Sequence, residues 1–196
     1  ALGSQYPRET VIGTMSTSFG TRFATNISNA EGGAAVVNVG DVDGDNIDDF
    51  AVSAPGEPNG VITNTGYIYI VYGVKNSTAA VSAWSTDKVL SSFSWNYVRK
   101  AYGGSTGAWA GSSLAGGDIN KDGFSDVIIG VPSWNGNQGK IAILWGKPRS
   151  LSRNNVALGS TVSGSVLLIT GPASSNFGAS VSTGDFDHDG VTDIRL

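Results

Sequence analysis

Short apolar runs, each closed by glycine, proline or an acidic turn, dominate this chain, and their lengths fit β-strands and not helices. Gly66-Tyr67-Ile68-Tyr69-Ile70-Val71-Tyr72-Gly73 and Gly139-Lys140-Ile141-Ala142-Ile143-Leu144-Trp145-Gly146 are glycine-bounded strands of equal length. Ahead of each lies a shorter run, Phe50-Ala51-Val52-Ser53-Ala54-Pro55 or Val127-Ile128-Ile129-Gly130-Val131-Pro132, which stops at a proline breaker. Val89 to Trp95 and Ser165 to Thr170 are the candidate fourth strands of the two sets. The pattern predicts an all-β chain of repeated four-stranded units.

A polar frame of nine residues precedes each run. It reads Asp41-Val42-Asp43-Gly44-Asp45-Asn46-Ile47-Asp48-Asp49, then Asp118-Ile119-Asn120-Lys121-Asp122-Gly123-Phe124-Ser125-Asp126, then Asp185-Phe186-Asp187-His188-Asp189-Gly190-Val191-Thr192-Asp193. Carboxylate or amide oxygens stand at positions 1, 3, 5 and 9. Calcium takes about six to eight oxygens, and alternate residues of a tight loop can aim theirs at one centre. Position 7 (Ile47, Phe124, Val191) would give a backbone carbonyl, so an apolar side chain is harmless there. Position 6 wants positive φ and holds Gly123 and Gly190 in two loops and Asn46 in the first. An EF-hand is excluded, because position 12 is Val52, Ile129 or Leu196 in place of a bidentate glutamate, and strands follow the loop.

Charge follows the same frames. Of sixteen acidic residues, only Glu9, Glu31, Glu57 and Asp87 lie outside them, so the metal-free loops repel themselves. Three Ca²⁺ would turn the formal net charge of −4 positive, and the acidic balance therefore says little about partners. Position 1 recurs at Asp41, Asp118 and Asp185, spacings that suit a four-stranded unit.

Trp109-Ala110-Gly111 and Asn176-Phe177-Gly178 stand before the second and third loops, and Gly/Ser-x-Pro follows the next strand. Together with the Asp-x-Asp/Asn-x-Asp-x-x-x-Asp loop, these motifs resemble the FG-GAP repeat of the integrin α-subunit β-propeller, a repeat also found in a glycosylphosphatidylinositol-specific phospholipase D. The resemblance covers about Ser18 to Leu196. It implies a partial β-propeller of about two full blades and the start of a third, within a seven-bladed whole. It carries over Asp41, Asp43, Asp45, Asp49, Asp118, Asn120, Asp122, Asp126, Asp185, Asp187, Asp189 and Asp193 as side-chain ligands, and Ile47, Phe124 and Val191 as carbonyl ligands, of about three Ca²⁺. The expected division of residues 1–196 is a candidate closing strand of a neighbouring blade in 1–20, a first blade in 21–108, a second in 109–175 and a third, cut short, in 176–196. The first copy departs from the pattern: Phe19-Gly20 lies far ahead of Asp41, so either Thr21 to Gly32 is an insertion or Gly33-Ala34 is the local equivalent, the second being slightly preferred. The third copy stops three residues after its last ligand, and the chain is expected to be a segment of a larger propeller or an arc completed by other chains.

The remaining composition narrows the function. Twenty-eight glycines and 14% charged residues fit a turn-rich globular chain. No apolar run reaches the roughly 18 residues of a membrane span, no signal segment is visible, and no cysteine reports a redox compartment. Millimolar extracellular calcium would fill such loops, which points to a surface or secreted protein, and the sequons at Asn26 and Asn76 are candidate glycan sites. An enzyme is not expected: the sole histidine, His188, sits at position 4 of a metal loop, there is no cysteine nucleophile, and the carboxylates are committed to metal. Trp109 and Trp145 are expected in the core, and Trp134 is the best candidate for an exposed contact. Lys and Arg are scattered apart from Arg99-Lys100 and the Lys147 to Arg153 stretch, and give no nucleic-acid footprint. The expected role is an extracellular calcium-binding module for protein–protein interaction or cell adhesion, with loops such as Gly56 to Thr65 and Ser133 to Gln138 as candidate contact surfaces. The alternatives are a structural subunit of a surface filament or sheath, and an accessory propeller of a larger secreted hydrolase.

Overall fold

A computed structural model describes residues 23–25, 27–75, 88–92, 96–151, 154–159 and 164–196. The candidate closing strand in 1–20, Phe19-Gly20, the sequon asparagines Asn26 and Asn76, and Trp84 and Trp95 lie outside the described residues. The strands are β1 (Phe23–Ala24), β2 (Val36–Gly40), β3 (Asp49–Ala54), β4 (Tyr67–Val71), β5 (Lys88–Val89), β6 (Val98–Gly103), β7 (Ser113–Gly117), β8 (Asp126–Val131), β9 (Lys140–Leu144), β10 (Val156–Leu158), β11 (Val166–Thr170), β12 (Ser182–Gly184) and β13 (Asp193–Arg195). β2, β3, β4 and β6 form an antiparallel meander, and β7, β8, β9 and β11 form a second. β12 and β13 open a third hairpin. Each acidic frame is the connection between the first two strands of a sheet.

Residue alternation along the strands divides the chain among three cores. Ile68, Ile70 and Tyr72 join Leu114, Val127, Ile129, Ala142 and Leu144 in a cluster between the two sheets. Their neighbours Tyr69 and Val71 face the other way, onto Val52, Leu90 and Val98. In the second sheet, Ile141 and Ile143 face Val181, Phe177 and Ile194 of the third unit. Every residue of β8 and β9 is buried, as expected for strands covered on both faces. Each buried aliphatic side chain of this kind contributes about 1.5–3 kcal/mol. This stacking of four-stranded antiparallel sheets is the arrangement of partial propeller blades.

One strand differs from expectation. The fourth strand of the first sheet is β6, Val98–Gly103, and not Val89 to Trp95. Val89 ends β5, which pairs in parallel with β1, and Leu90–Ser92 turn into a 3-10 helix. Arg99 and Lys100 disguised β6 as polar, yet Arg99 is 2% exposed and its Nη1 donates to the Trp145 carbonyl at 3.1 Å. Lys100 donates to the Ser91 carbonyl. Such long side chains carry their charge away from the apolar stem. Ser165 to Thr170 does form the corresponding strand, β11. β10 lies in the connection before β11 and adds in parallel to the free edge of β6, so the second unit clasps the first.

The structure also places the opening of the first unit. Gly33 has φ 87°, matching 89° at Gly111 and 87° at Gly178. Its N–H donates to Ser53 O at 2.8 Å, as that of Gly111 donates to Gly130 O at 2.9 Å. Gly33 is thus the local equivalent, and the extra residue before Asp41 is absorbed by a register shift between Asn38 and Gly40.

Candidate metal centres

The three frames fold alike because their carboxylates organise their own backbone. At position 1, Asp41 accepts the N–H groups of Gly44 (2.7 Å), Asp45 (3.1 Å) and Asn46 (2.7 Å). Asp118 accepts those of Asp122 (3.2 Å) and Gly123 (3.0 Å), and Asp185 those of Asp189 (3.1 Å) and Gly190 (3.0 Å). At position 5, Asp45, Asp122 and Asp189 accept the N–H of Ile47, Phe124 and Val191 at 3.0, 2.9 and 2.7 Å. At position 9, Asp49, Asp126 and Asp193 reach back to the N–H of Val42, Ile119 and Phe186 at 2.9, 3.0 and 2.9 Å. Each is a side chain replacing a backbone partner in a tight turn.

Position 9 does further work in the two complete sheets. The second oxygen of Asp49 accepts the N–H of Gly73 at 2.7 Å, and that of Asp126 accepts Gly146 N–H at 2.8 Å. The carboxylate therefore ties the metal loop to the end of the third strand. Burial pushes Asp49 up to about 7 and Asp126 up to about 6, against the opposing pull of these backbone donors. Asp43 is also raised, first by burial, with Arg149 pulling it down.

Asp41, Asp43 and Asp49 bring oxygens within 4.8 Å of one another, and so do Asp185, Asp187 and Asp193. These are two acidic clusters able to coordinate a metal ion. The second loop carries an amide at position 3: Asn120 Oδ1 accepts Asp122 N–H at 2.9 Å and its Nδ2 donates to Asp122 Oδ2 at 3.0 Å. No three-carboxylate cluster forms there among the described residues. The first loop gives the sharpest test of fit. Asp43 Oδ1 is buried and has no hydrogen-bond partner, and an ionised oxygen in that position is costly unless a cation faces it.

Two features escaped the sequence. Position 4 also takes positive φ, 78° at Gly44, 59° at Lys121 and 63° at His188, beside position 6 at 63°, 87° and 77°. The first loop therefore exchanges the glycine and the non-glycine residue between these two positions. The other feature is Arg149, remote in sequence, whose guanidinium pairs with Asp43 through Nε and with Asp45 through Nη2 at 3.3 Å. Its place in the basic stretch from Lys147 to Arg153 gives no local signal of such a contact.

Two of the three aromatic expectations need correction. Trp109 is half-buried with φ 54°, and Ala110, fully buried beside Gly111, takes the core place. Trp109 stands where the third unit has Asn176, also at positive φ (52°), and Ala110 stands where it has Phe177. Trp134 is not a free surface residue: it packs against the core between the sheets, with Lys140 Nζ 4.6 Å from its ring centroid. Trp145 is half-buried against the third core. His188 is exposed.

Comparison with known proteins agrees with this geometry. The FG-GAP repeat matches residues 32–71 and 110–144. Over 117 residues the chain is 33% identical to integrin alpha-M and 30% identical to integrin alpha-X, both of Mus musculus, covering 59% of this chain and 8% of either relative. It is 28% identical over 90 residues to phosphatidylinositol-glycan-specific phospholipase D of Bos taurus, covering 44% of this chain and 10% of that protein. The chain thus spans about a tenth or less of the length of the curated relatives it matches. No helix among the described residues is long and apolar enough to cross a membrane. The matched stretches are FG-GAP repeats, a non-catalytic family, and are homologous to the propeller blades of integrin α subunits.

Proposed function

We propose that these repeats form a calcium-binding β-propeller module that works outside the cell, binding a protein partner or mediating adhesion. Asp41, Asp43, Asp45 and Asp49 serve as side-chain ligands of the first site, Asp118, Asn120, Asp122 and Asp126 of the second, and Asp185, Asp187, Asp189 and Asp193 of the third. Ile47, Phe124 and Val191 add carbonyl oxygens. The observation that carries this reading is the buried, unpartnered Oδ1 of Asp43, a carboxylate that clusters with those of Asp41 and Asp49 in its own loop. Bound Ca²⁺ supplies divalent charge that cancels carboxylate repulsion. The chain does the rest: position 1 shapes the loop, position 9 locks it to the sheet, and the stiffened hairpins hold neighbouring loops ready for a partner without further ordering cost. Homology to integrin α blades supports a protein partner, and the sequons at Asn26 and Asn76 suit a secreted chain.

Calorimetric calcium titration with parallel thermal unfolding tests the reading on the parent chain and on Asp43→Ala, Asn120→Ala and Asp187→Ala. About three ions per chain, with the melting temperature raised by calcium and each substitution lowering the binding, is the expected result. No binding up to about 5 mM Ca²⁺ would overturn it. The match to a phospholipase D favours a second reading, a propeller accessory to a secreted hydrolase. A catalytic domain in sequence adjoining this segment would decide for it.

A further inference from the structure

Residues Gly146 to Arg149 leave the end of β9 and tie the second loop to the first. Gly146 N–H holds Asp126 Oδ1 at 2.8 Å, at the end of the second loop. Lys147 N–H donates to Val42 O at 2.9 Å, inside the first. Arg149 then lays its guanidinium over the first loop. Nε donates to Asp43 Oδ2, and Nη2 donates to Asp45 Oδ2 and Gly73 O, both at 3.3 Å. Nη1 donates to Asn96 O at 3.3 Å, and Cζ stands 4.7 Å from the Tyr72 ring centroid. The Asp43 side chain is 1% exposed and that of Arg149 27%, so the arginine covers the carboxylate from the solvent side and leaves Asp43 Oδ1 unpartnered within the loop. None of the described ion pairs involves the acids of the third loop.

We propose that Arg149 is the resident counter-cation of the first loop: it neutralises and orders Asp43 and Asp45 when no metal is bound, and its charge opposes the divalent ion that enters beside it. The inference rests on the first loop being a metal site and adds that this site differs in kind from the third. The first keeps its shape without metal and binds calcium more weakly than its four carboxylate ligands suggest. The guanidinium and the ion share ligands, because Arg149 uses one oxygen of Asp43 and the ion the other. A single charge about 6 Å from a divalent ion costs roughly tenfold in affinity even at the dielectric constant of water, and more where burial lowers it.

The test uses the full chain with Asn120→Ala and Asp187→Ala, which leaves the first loop as the intact site, and compares Arg149, Arg149→Gln and Arg149→Lys. Calcium affinity is read by calorimetry, and thermal unfolding is followed in chelator and in saturating calcium. Arg149→Gln is expected to bind calcium at least about tenfold more tightly, to melt at lower temperature in chelator, and to recover most of that loss in calcium. Arg149→Lys loses the fork of hydrogen bonds but keeps the charge, and because the opposition to the ion follows the charge it is expected to stay within about threefold of the parent affinity. It also carries the test if the glutamine variant does not fold without metal, since a large loss of affinity there would show Arg149 to be a ligand-positioning group and overturn the proposal. Calcium heat that is present but unchanged or weaker in Arg149→Gln would also overturn it, leaving the metal reading intact. Absence of calcium heat from the parent and both variants would overturn the metal reading of the first loop and this proposal together.

Discussion

The first and third acidic loops share one frame and most of their internal hydrogen bonds, yet they live in opposite surroundings. At position 2, Val42 is 1% exposed and Phe186 is 55% exposed. The following unit closes over the first loop: Ser125 N–H donates to Asp41 O at 2.8 Å, Lys147 N–H donates to Val42 O, and Arg149 pairs with two of its acids. The third loop is tied to the second through Lys121 Nζ, 3.4 Å from Asp189 O. The frame therefore specifies how the loop turns, while the next unit decides what the loop is worth to stability.

Removal of position 9 should separate the two loops most. Asp49→Ala strips acceptors from the N–H groups of Val42 and Gly73 in a buried setting, and is expected to cost about 3 kcal/mol or more in chelator. Asp193→Ala frees the exposed N–H of Phe186 alone, for about 1 kcal/mol or less. Urea unfolding of both variants measures the difference, and equal losses would break the comparison. Gly44→Ala against Gly190→Ala sharpens it further. Both glycines have nearly the same φ, 78° and 77°, but a Cβ on Gly44 would overlap the Phe124 ring whereas Gly190 has open space around it. The shared conformational strain costs about 1 kcal/mol, and the overlap should add about 1–2 kcal/mol at Gly44 alone.

Acidity provides a smaller separation with a defined sign. Burial raises Asp49 to about 7 and Asp126 to about 6 in the folded protein, above the unfolded aspartate value of about 4. Between about pH 4 and 7 the metal-free folded state thus binds more protons than the unfolded chain. Its stability should fall as pH rises through that window and level off above it. Calcium binds the ionised form, so apparent calcium affinity should rise with pH over the same range. Melting temperatures at pH 5 and 8, without metal and with calcium, check both directions, and a metal-free protein more stable at pH 8 than at pH 5 would contradict the assignment.

What the sequence disclosed was periodic or local. The three nine-residue frames, the glycine-bounded β4 and β9 and the breaker at Pro55 or Pro132 carry their own signals, and the sheets follow from them. β6 was missed because Arg99 and Lys100 interrupt its apolar pattern, and only the fold shows that both reach carbonyls of other segments. Gly33 was ambiguous because a bulge changes the spacing to Asp41, which no local rule measures. Arg149 was invisible for a stronger reason: it lies 106 residues from Asp43, and that meeting exists only after two units have stacked. Local chemistry was legible in the loops, and the contacts between repeats were not.

The smallest expected effect bears on that last distinction. Lys121 is the counterpart, at the junction of the second and third loops, of the clasp that Gly146 to Arg149 make between the first and second. Its Nζ donates to a backbone carbonyl at 3.4 Å from an exposed side chain, where water competes freely and the ordering of a long side chain offsets the gain. Lys121→Ala should therefore change stability by less than about 0.5 kcal/mol, and salt should scarcely alter the result. If it cost as much as losing Arg149 does in chelator, the inter-loop contacts would be equivalent along the chain. The asymmetry between the covered first loop and the open third would then lie in burial at positions 2 and 9 alone.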